Sequence, residues 1–162
     1  PVLLRLGVNI APNDTGGSLH DRLSTLGAEV LSDGLKLARA GMHLQAEAQP
    51  SEGLTYARKI EKAEAGLDWR LSAQALSDKI RAFNPWPVAE TELDGERVRI
   101  YQARALPGPA GDAAPGMLVA ASKAGIDIAC GEGVLRLLSI QRDGGRVLSA
   151  ADYLNARSLK TP

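Results

Sequence analysis

The sequence predicts a mainly β protein with helices, in which a small antiparallel barrel follows a linker and a strand-helix remnant of an α/β domain. Two observations support this fold class. Five short apolar runs separated by turns occupy residues 89–141, and this spacing is too short for the helical crossovers that parallel strands need. A leucine stripe with helical spacing lies in residues 18–40, which predicts a long amphipathic helix before the barrel.

Composition limits the classes of protein to which the chain can belong. Its 162 residues are 44% hydrophobic and 23% charged, which suffices for a compact domain of ordinary size, or a small domain with an extra piece, and argues against disorder. Nineteen basic and nineteen acidic side chains give a formal net charge of zero. Nucleic acid or an anionic membrane would therefore have to be held by local patches.

Other features favour a cytoplasmic location. The single cysteine, Cys130, excludes an internal disulfide and a cysteine zinc cluster and suits a reducing compartment. No apolar run approaches the roughly 18–20 residues of a membrane span, and the start does not resemble a signal peptide. The chain begins at Pro1 inside an apolar stretch, which suggests that a segment precedes it.

The first part of the chain predicts a strand, a loop and a long helix. Residues 2–8 are rich in aliphatic side chains and precede a turn-rich cluster at residues 12–17. Ser18 with Asp21 resembles a capping box, which starts a helix that extends to about Ala40. Its apolar positions form one stripe: Leu19, Leu23, Leu26 and Val30.

This stripe defines the predicted domain organisation, because one strand and one helix make too little apolar contact to be stable. We therefore expect residues 1–43 to be the tail of a larger α/β domain. Residues 44–66 change to glutamine, glutamate, alanine, proline and mixed charges, which is typical of a linker. Residues 67–162 are then the barrel domain.

A second helix is predicted over residues 72–83, capped by Ser72 and ended by the proline cluster at residues 84–87. One face of it is apolar: Leu76, Ile80 and Phe83. Trp69 and Trp86 flank this helix, and we expect both to pack in the core and dock the helix on the barrel. An ion pair between Asp68 and Arg81 is a further hypothesis.

The barrel strands are predicted from apolar runs bounded by glycine and proline turns. The five strands are residues 89–93, 97–101, 117–121, 126–130 and 134–141. Asp94 and Gly95 form a tight turn between the first two, and residues 106–116 form a proline- and glycine-rich loop. A short terminal helix over residues 149–157 is capped by Ser149.

Residues that could perform catalysis are few. His20 and His43 lack metal-ligand spacing, and His20 is expected to be a solvated surface side chain. Cys130 is expected to be a buried structural thiol. No Gly-x-Ser-x-Gly motif places a serine for attack, and the glycine pairs lack the lysine of a phosphate loop. The residues themselves therefore predict no catalytic site and no metal site.

Basic side chains offer a better candidate for binding. Arg97, Arg99 and Tyr101 alternate along one predicted strand and share a face. Two guanidinium groups and a phenol could bind phosphates and stack on a base, although a solvated face explains the same pattern. Further basic residues surround the last strand and mark the linker: Arg136, Arg142, Arg146, Arg58, Lys59 and Lys62.

Several ordered stretches together resemble one known family. They span residues 14–23, 49–69, 80–87, 114–116, 128–133, 138–141 and 149–157. Among them are the sequences Arg-Ala-Phe-Asn-Pro-Trp-Pro at residues 81–87 and Cys-Gly-Glu-Gly at residues 130–133. Across essentially the whole length, the chain resembles the bacterial methionyl-tRNA formyltransferases.

The resemblance implies both a fold and an activity. Members of the family have an amino-terminal Rossmann-like domain that transfers the formyl group of 10-formyltetrahydrofolate to the amino group of methionine on initiator tRNA. A linker joins it to a carboxy-terminal OB-fold-like barrel that helps to hold the tRNA. The family's catalytic Asn, His and Asp are expected before Pro1, so none is assigned here. The chain alone is expected to be inactive and to bind no folate and no metal.

The resemblance also assigns a role to the basic side chains, as phosphate contacts along the initiator Met-tRNA. The candidates are Arg58, Lys59, Lys62, Arg97, Arg99, Arg136, Arg142 and Arg146. Two alternatives stay open: the barrel of a folate-dependent formyltransferase with a sugar-nucleotide substrate, and a non-catalytic interaction module. The motifs at residues 81–87 and 149–157 fit the tRNA enzyme better. Self-association through the leucine stripe of residues 19–30 is also considered.

Overall fold

The computed structural model describes residues 1–155. The chain divides into two compact units, Pro1–Lys59 and Ile60–Pro162. The first contains one long helix, α1 (Gly16–Arg39). The described part of the second, up to residue 155, contains a 3-10 helix (Lys62–Ala65), two α helices and an antiparallel sheet.

The predicted long helix is confirmed, but its cap is Thr15 and not Ser18. Thr15 Oγ1 accepts from the Ser18 backbone N–H at 3.1 Å, and Ser18 Oγ accepts from the Thr15 N–H at 3.0 Å. Thr15 has extended backbone angles, as a cap requires, which leaves Ser18 in the third helical position. The helix ends at the cap residue Ala40, and Gly41 follows with φ of 73°.

The predicted strand over residues 2–8 is wrong. Val2 makes a single antiparallel bridge with Glu47, with N–H to carbonyl distances of 2.7 and 2.9 Å. Among the described residues, residues 3–10 have no paired neighbour, and Leu3 and Leu6 are more than half exposed. Aliphatic composition favours extended backbone, but a strand forms only where a second backbone supplies its hydrogen bonds.

The apolar stripe of α1 is not covered within the first unit. The helix has no buried residue, and Leu23 is 48% exposed. A surface cavity of about 380 Å³ opens between the helix and the preceding chain; Leu6, Leu23, Leu26, Gly27, Val30 and Leu31 line it. The helix α1 therefore does not build a core of its own.

Asp14 fastens the preceding loop to the start of α1. Its carboxylate accepts from the Ala11 N–H at 2.6 Å, and from Arg22 Nη1 and Nη2 at 3.0 and 2.6 Å. Arg22 also donates to the carbonyl of Asn9 at 2.9 Å. The hydrogen-bonded Arg22 guanidinium is the main reason that the pKa of Asp14 is lowered to about 2.

Acid is expected to open this loop only at very low pH. Because the pKa of Asp14 is lowered on folding, its stabilising contribution is complete above its ordinary value of 3.8 and is lost as pH falls through about 2. The protection factor of the Ala11 amide, which is the factor by which it exchanges more slowly than in an unstructured chain at the same pH, should stay high at pH 4 and fall towards pH 2. In Asp14→Asn the protection factor should already be low at pH 4, whereas Asp33→Asn, within α1, should behave as wild type. Equal protection in the two variants at pH 4 would contradict this role of Asp14.

The second predicted helix is confirmed as α2 (Ala73–Ala82). Ser72 Oγ caps it by accepting from the Ala75 N–H at 3.2 Å. Its apolar face is buried, with Leu76 and Ile80 at 0% exposure and Phe83 at 9%. The helix ends immediately before the proline cluster, as the missing amide donors predict.

Two side-chain predictions around α2 need correction. Trp69 packs against the core and donates from Nε1 to Thr91 Oγ1 at 3.0 Å, as expected, but Trp86 is 55% exposed. The hypothetical Asp68–Arg81 ion pair is replaced by two local pairs. Arg70 donates to Asp68 at 2.7 and 2.8 Å, and Arg81 donates to Asp78 at 2.6 Å. Partners two or three residues away are held close by the local backbone, so less chain has to be ordered to form each pair.

All five predicted strands are present, with ends that shift by a few residues, and a sixth was missed. The strands are β1 (Ala89–Leu93), β2 (Glu96–Leu106), β3 (Leu118–Ser122), β4 (Gly125–Ala129), β5 (Val134–Arg142) and β6 (Val147–Ser149). The turn at Asp94 and Gly95 is confirmed, with φ of 51° and 76°. β6 has three residues, too few to show alternation in the sequence.

The strands form one antiparallel sheet in the order β1-β2-β5-β4-β3. One edge of β5 pairs with β2, and its other edge is divided between β4 and β6. The predicted mainly β, antiparallel class is confirmed, and the sheet is open, with β1 and β3 at the ends of the pairing order. The OB-fold topology that the family resemblance implies stays a prediction.

One face of the sheet packs with α2 and with the last described helix, α3 (Ala150–Asn155). Ser149 caps α3 as predicted, because its Oγ accepts from the Asp152 N–H at 3.1 Å. The predicted end of this helix at Arg157 lies outside the described residues. The largest fully buried side chains of this core are Tyr153, Leu76, Ile80, Ile100, Ile126, Ile128, Leu135, Leu137, Ile140 and Val98.

Candidate nucleic-acid interface

The face of the sheet that points away from this core has arginines on its longest strand. In β2, Val98 and Ile100 are fully buried, so Arg97 and Arg99 point to the opposite side. Their predicted common face is confirmed. We call the side of β2 and β5 that presents Arg97 and Arg99 the outer face.

Each of these two arginines has a carboxylate beside it. Arg97 donates from Nε and Nη2 to Glu90 of β1, and this hydrogen-bonded carboxylate raises the pKa of Arg97. Arg99 lies 3.9 Å from Asp143, a looser pair with a carboxylate that is 61% exposed. A phosphate would therefore have to compete with Glu90 at Arg97 more than with Asp143 at Arg99.

Tyr101 has its hydroxyl engaged in a hydrogen bond between strands. The Tyr101 hydroxyl donates to Gln141 Oε1 on β5 at 2.8 Å, and Gln141 Nε2 in turn donates to the carbonyl of Gly145 at 2.7 Å. This chain of hydrogen bonds joins β2 to the turn after β5. The arrangement favours a structural role for Tyr101, in which it orders the outer face around Arg99.

Arg136 is the most enclosed of the candidates. Its Nε and Nη2 donate to the two carboxylate oxygens of Asp127, both at 2.7 Å, and the side chains are 20% and 9% exposed. The stem of Arg136 occupies the space beside Gly125, where an added Cβ would lie 2.4 Å from Arg136 Cγ. The geometry favours a stabilising role for Arg136, because a phosphate would have to displace a buried partner.

Arg142 is directed to the other side of the sheet. Its Cα partner is Val98, whose side chain points into the core, and directly paired residues of an antiparallel ladder share a face. Arg142 Nε donates to Glu96 Oε1 at 2.6 Å. The structure therefore separates Arg142 from Arg97 and Arg99, which the one-dimensional pattern could not show.

The remaining candidates lie at turns and in the linker. Arg146 is exposed in the turn between β5 and β6, and Lys62 is exposed at the start of the 3-10 helix. Arg58 and Lys59 are exposed and belong to the first unit. The structure thus brings together Arg97 and Arg99 on the outer face. Of the other six candidates, Arg136 is held by Asp127 and Arg142 is on the opposite face. The remaining four are exposed at turns or in the linker: Arg146, Lys62, Arg58 and Lys59.

One basic residue of the outer face was missed by the sequence pattern. Arg104 is exposed on β2 and has Arg136 as its Cα partner on β5. It was missed because the predicted strand ended at Tyr101, whereas β2 continues to Leu106. Strict alternation continued from Arg97 and Arg99 would also assign position 104 to the core side. The pairing register shifts between Ile100 and Ala103, and no composition signal marks this irregularity.

One cavity of the second unit has a volume of about 760 Å³. It is lined mainly by glycine, proline and alanine, and its one charged lining side chain is Glu132. The carboxylates of a folate tail would be repelled there. Residues 1–155 contain no group of histidine, cysteine and carboxylate side chains that could hold a metal ion.

Other candidates from the sequence have ordinary environments. Cys130 is buried as predicted, and burial raises the pKa of its thiol, so it is not a reactive thiolate. His20 is exposed as predicted, 3.4 Å from Asp21, and His43 is also exposed. Within the described part of the chain, no helix has the length and hydrophobicity needed to cross a membrane.

Comparison with known proteins identifies similar chains. The family model described as "Formyl transferase, C-terminal domain" matches residues 59–158. Methionyl-tRNA formyltransferases of Stenotrophomonas maltophilia (strain R551-3) and Xanthomonas campestris pv. campestris (strain 8004) are each 60% identical over 157 residues. The match covers 97% of this chain and 51% of theirs, so the chain spans about half the length of the curated relatives it matches.

Solved structures show a similar fold at low sequence identity. HypX from Aquifex aeolicus, solved in complex with tetrahydrofolic acid, has a TM-score of 0.57 and 17% identity over 83% of this chain and 24% of that chain. A variant of the same protein has a TM-score of 0.58, also at 17% identity. At this identity the likeness concerns the fold alone.

Proposed function

The chain belongs to the family of formyl transferase C-terminal domains, and from this premise we propose that it is the tRNA-binding part of a methionyl-tRNA formyltransferase. The observation that supports this most strongly is the 60% identity over 97% of the chain to proteins that bear that name. The same names favour initiator Met-tRNA as the substrate over a sugar nucleotide. They also favour an enzyme component over a non-catalytic interaction module.

The chemistry of the described residues indicates which step of the reaction this chain serves. The outer face supplies guanidinium groups, which bind phosphate well, whereas the cavity beside Glu132 does not fit a folate. We assign to this chain the holding of the tRNA. We assign 10-formyltetrahydrofolate and the transfer of its formyl group to the part of such enzymes that this chain does not span. Translation takes place in the cytoplasm, and we place the protein there.

The uncovered face of α1 is consistent with this assignment. Beside the cavity of about 380 Å³ along α1 lies another surface cavity, of about 440 Å³. It is lined mostly by aliphatic side chains, Leu4 and Leu35 among them. In the longer enzyme we propose that residues 1–43 complete an α/β domain, which covers this surface. Self-association through Leu19, Leu23, Leu26 and Val30 is the alternative. Sedimentation of a longer enzyme that carries the complete α/β domain distinguishes the two, because this surface is covered there only in the first case.

Binding on the outer face must come from local charge, since the chain as a whole is neutral. Each phosphate neutralised by an arginine releases counterions and adds roughly 0.7–0.9 to the slope of log affinity against log salt. We propose Arg97 and Arg99 as phosphate contacts, with Arg146 and Lys62 as further exposed candidates in the second unit. The structure favours stabilising roles for Arg136 and Arg142, which hold Asp127 and Glu96.

Neutralising the two outer-face arginines tests this function. Arg97→Gln/Arg99→Gln should bind initiator Met-tRNA more weakly at low salt, and its salt slope should be flatter by about 1.4–1.8 if both contacts are lost. Fluorescence anisotropy with labelled tRNA measures both quantities. The charge-matched control Lys36→Gln/Arg39→Gln changes the last turn of α1 instead and should bind as wild type. Wild-type affinity of the Arg97/Arg99 variant at low salt would exclude these residues.

A further inference from the structure

We propose that Arg104, which neither the sequence pattern nor the family resemblance indicated, is a phosphate-contacting residue of the outer face. The proposal rests on the proposed tRNA-binding function and specifies where one backbone phosphate is held. Three features of the structure support it. A strand irregularity turns Arg104 outward, Arg136 lies directly opposite it, and the nearby carboxylate of Asp127 is already bound by Arg136.

The irregularity in β2 determines where Arg104 points. Val98 and Ile100 are buried, and regular alternation would direct residues 102 and 104 to the core as well. The register shifts at Gln102, and Ala103 is the next buried residue, at 7% exposure. Arg104 is consequently exposed. Bulges of this kind re-aim the side chains that follow them.

The residue directly opposite Arg104 has the same charge. Arg104 and Arg136 are Cα partners across β2 and β5, and like charges in this position repel each other and weaken strand pairing. The next strand supplies one carboxylate to this row, Asp127, whose Cα partner is also Arg136. This row of two arginines and one aspartate therefore has a net positive charge. A bound anion would reduce the repulsion between the two arginines.

Asp127 is not available to neutralise Arg104. Both of its carboxylate oxygens are engaged by Arg136, at 2.7 Å each, and its side chain is 9% exposed. Within residues 1–155, no carboxylate lies within ion-pair distance of Arg104. Arg97, by contrast, already donates to Glu90.

These differences predict the ligand and the relative strength of the contacts. A phosphate at Arg104 would break no existing ion pair and would relieve the repulsion from Arg136, whereas at Arg97 it would have to displace Glu90. Five residues of extended strand separate Arg99 from Arg104, roughly 16 Å, so the two contact different phosphates. The geometry thus fits a nucleic-acid backbone that follows β2, and not a single small anion.

The test compares single variants of the 162-residue chain. Arg104→Gln should weaken binding of initiator Met-tRNA, and the ratio of its Kd values at 200 and 50 mM salt should be about threefold smaller than in wild type. Arg104→Lys should keep most of this salt dependence, because it keeps the charge. Arg97→Gln should cause a smaller loss than Arg104→Gln. Thermal unfolding of Arg104→Gln should begin no earlier than in wild type, because the repulsion from Arg136 is removed.

The outcomes separate this proposal from the function on which it rests. If wild type binds tRNA and Arg104→Gln binds with the same affinity and salt slope, the assignment of Arg104 is overturned and the proposed function stands. A weaker affinity explained by a lower unfolding temperature would also overturn it. If wild type itself does not bind tRNA at low salt, the proposed function fails.

Discussion

Replacing Gly131 by alanine is expected to destabilise the second unit by more than about 4 kcal/mol, or to prevent it from folding. A Cβ at this position would lie 1.9 Å from the carbonyl oxygen of Arg70, which is backbone and cannot rotate away. The Gly131 N–H also donates to the carbonyls of Trp69 and Leu71, at 2.8 and 3.0 Å. Through these two hydrogen bonds and the close backbone contact, Gly131 holds the segment before α2 against the turn between β4 and β5.

Urea denaturation followed by tryptophan fluorescence measures this effect, because both tryptophans of the chain, Trp69 and Trp86, are in the second unit. Gly66→Ala is the matched control, since Gly66 has φ of −60° and nothing within 4 Å of an added Cβ. It should unfold close to the wild-type midpoint. Similar midpoints for the two variants would show that the close approach at Gly131 is absent in solution.

Removing the carboxylate of Asp127 is the second substitution with a large expected effect. In Asp127→Ala the Arg136 guanidinium loses both of its short hydrogen bonds while its side chain stays four-fifths buried. An uncompensated charge in such a position is strongly destabilising. It would also face Arg104 on one side across the ladder, with no carboxylate on its other side. The unfolding midpoint should fall well below that of wild type.

Asp143→Ala is the control for this substitution, because it removes the carboxylate beside Arg99 at an exposed position. Exposed ion pairs contribute about 0–1 kcal/mol, so its midpoint should be near wild type. Equal unfolding midpoints for Asp127→Ala and Asp143→Ala would mean that the Arg136–Asp127 pair does not stabilise the sheet.

Local signals in the sequence were sufficient for α2 and the five longer strands. Ser72 and the prolines at residues 84–87 define the two ends of α2, and the Asp94–Gly95 turn defines the first hairpin. These features act within a few residues, so a single sequence reveals them. The mainly β, antiparallel class follows directly from the short connections.

The errors have a common physical origin in partners that are distant in sequence. Residues 2–8 have the composition of a strand, but Val2 alone is bridged, to Glu47. Trp86 is hydrophobic but 55% exposed, because the direction of a side chain between two prolines depends on tertiary contacts. The error in the cap of α1 is smaller. Ser18 was predicted and Thr15 is observed, and both are suitable cap residues.

The candidate binding face was predicted only in part for the same reason. Arg97 and Arg99 were found because alternation holds over the first half of β2. Arg142 has the right charge but is paired with Val98 on the opposite face. Arg104 was missed because it lies beyond the predicted strand end at Tyr101 and after the register shift at Gln102. Strand pairing and bulges are long-range properties, which residue types along one strand do not determine.

The salt dependence of binding between the unmodified 162-residue chain and initiator Met-tRNA tests the central claim most directly. If Arg97, Arg99 and Arg104 each contact a phosphate, the affinity should be measurable at about 50 mM salt. The plot of log affinity against log salt should then have a slope of about −2 or steeper. Absence of binding at that salt concentration, or a slope near zero, would contradict the claim that this chain holds the tRNA.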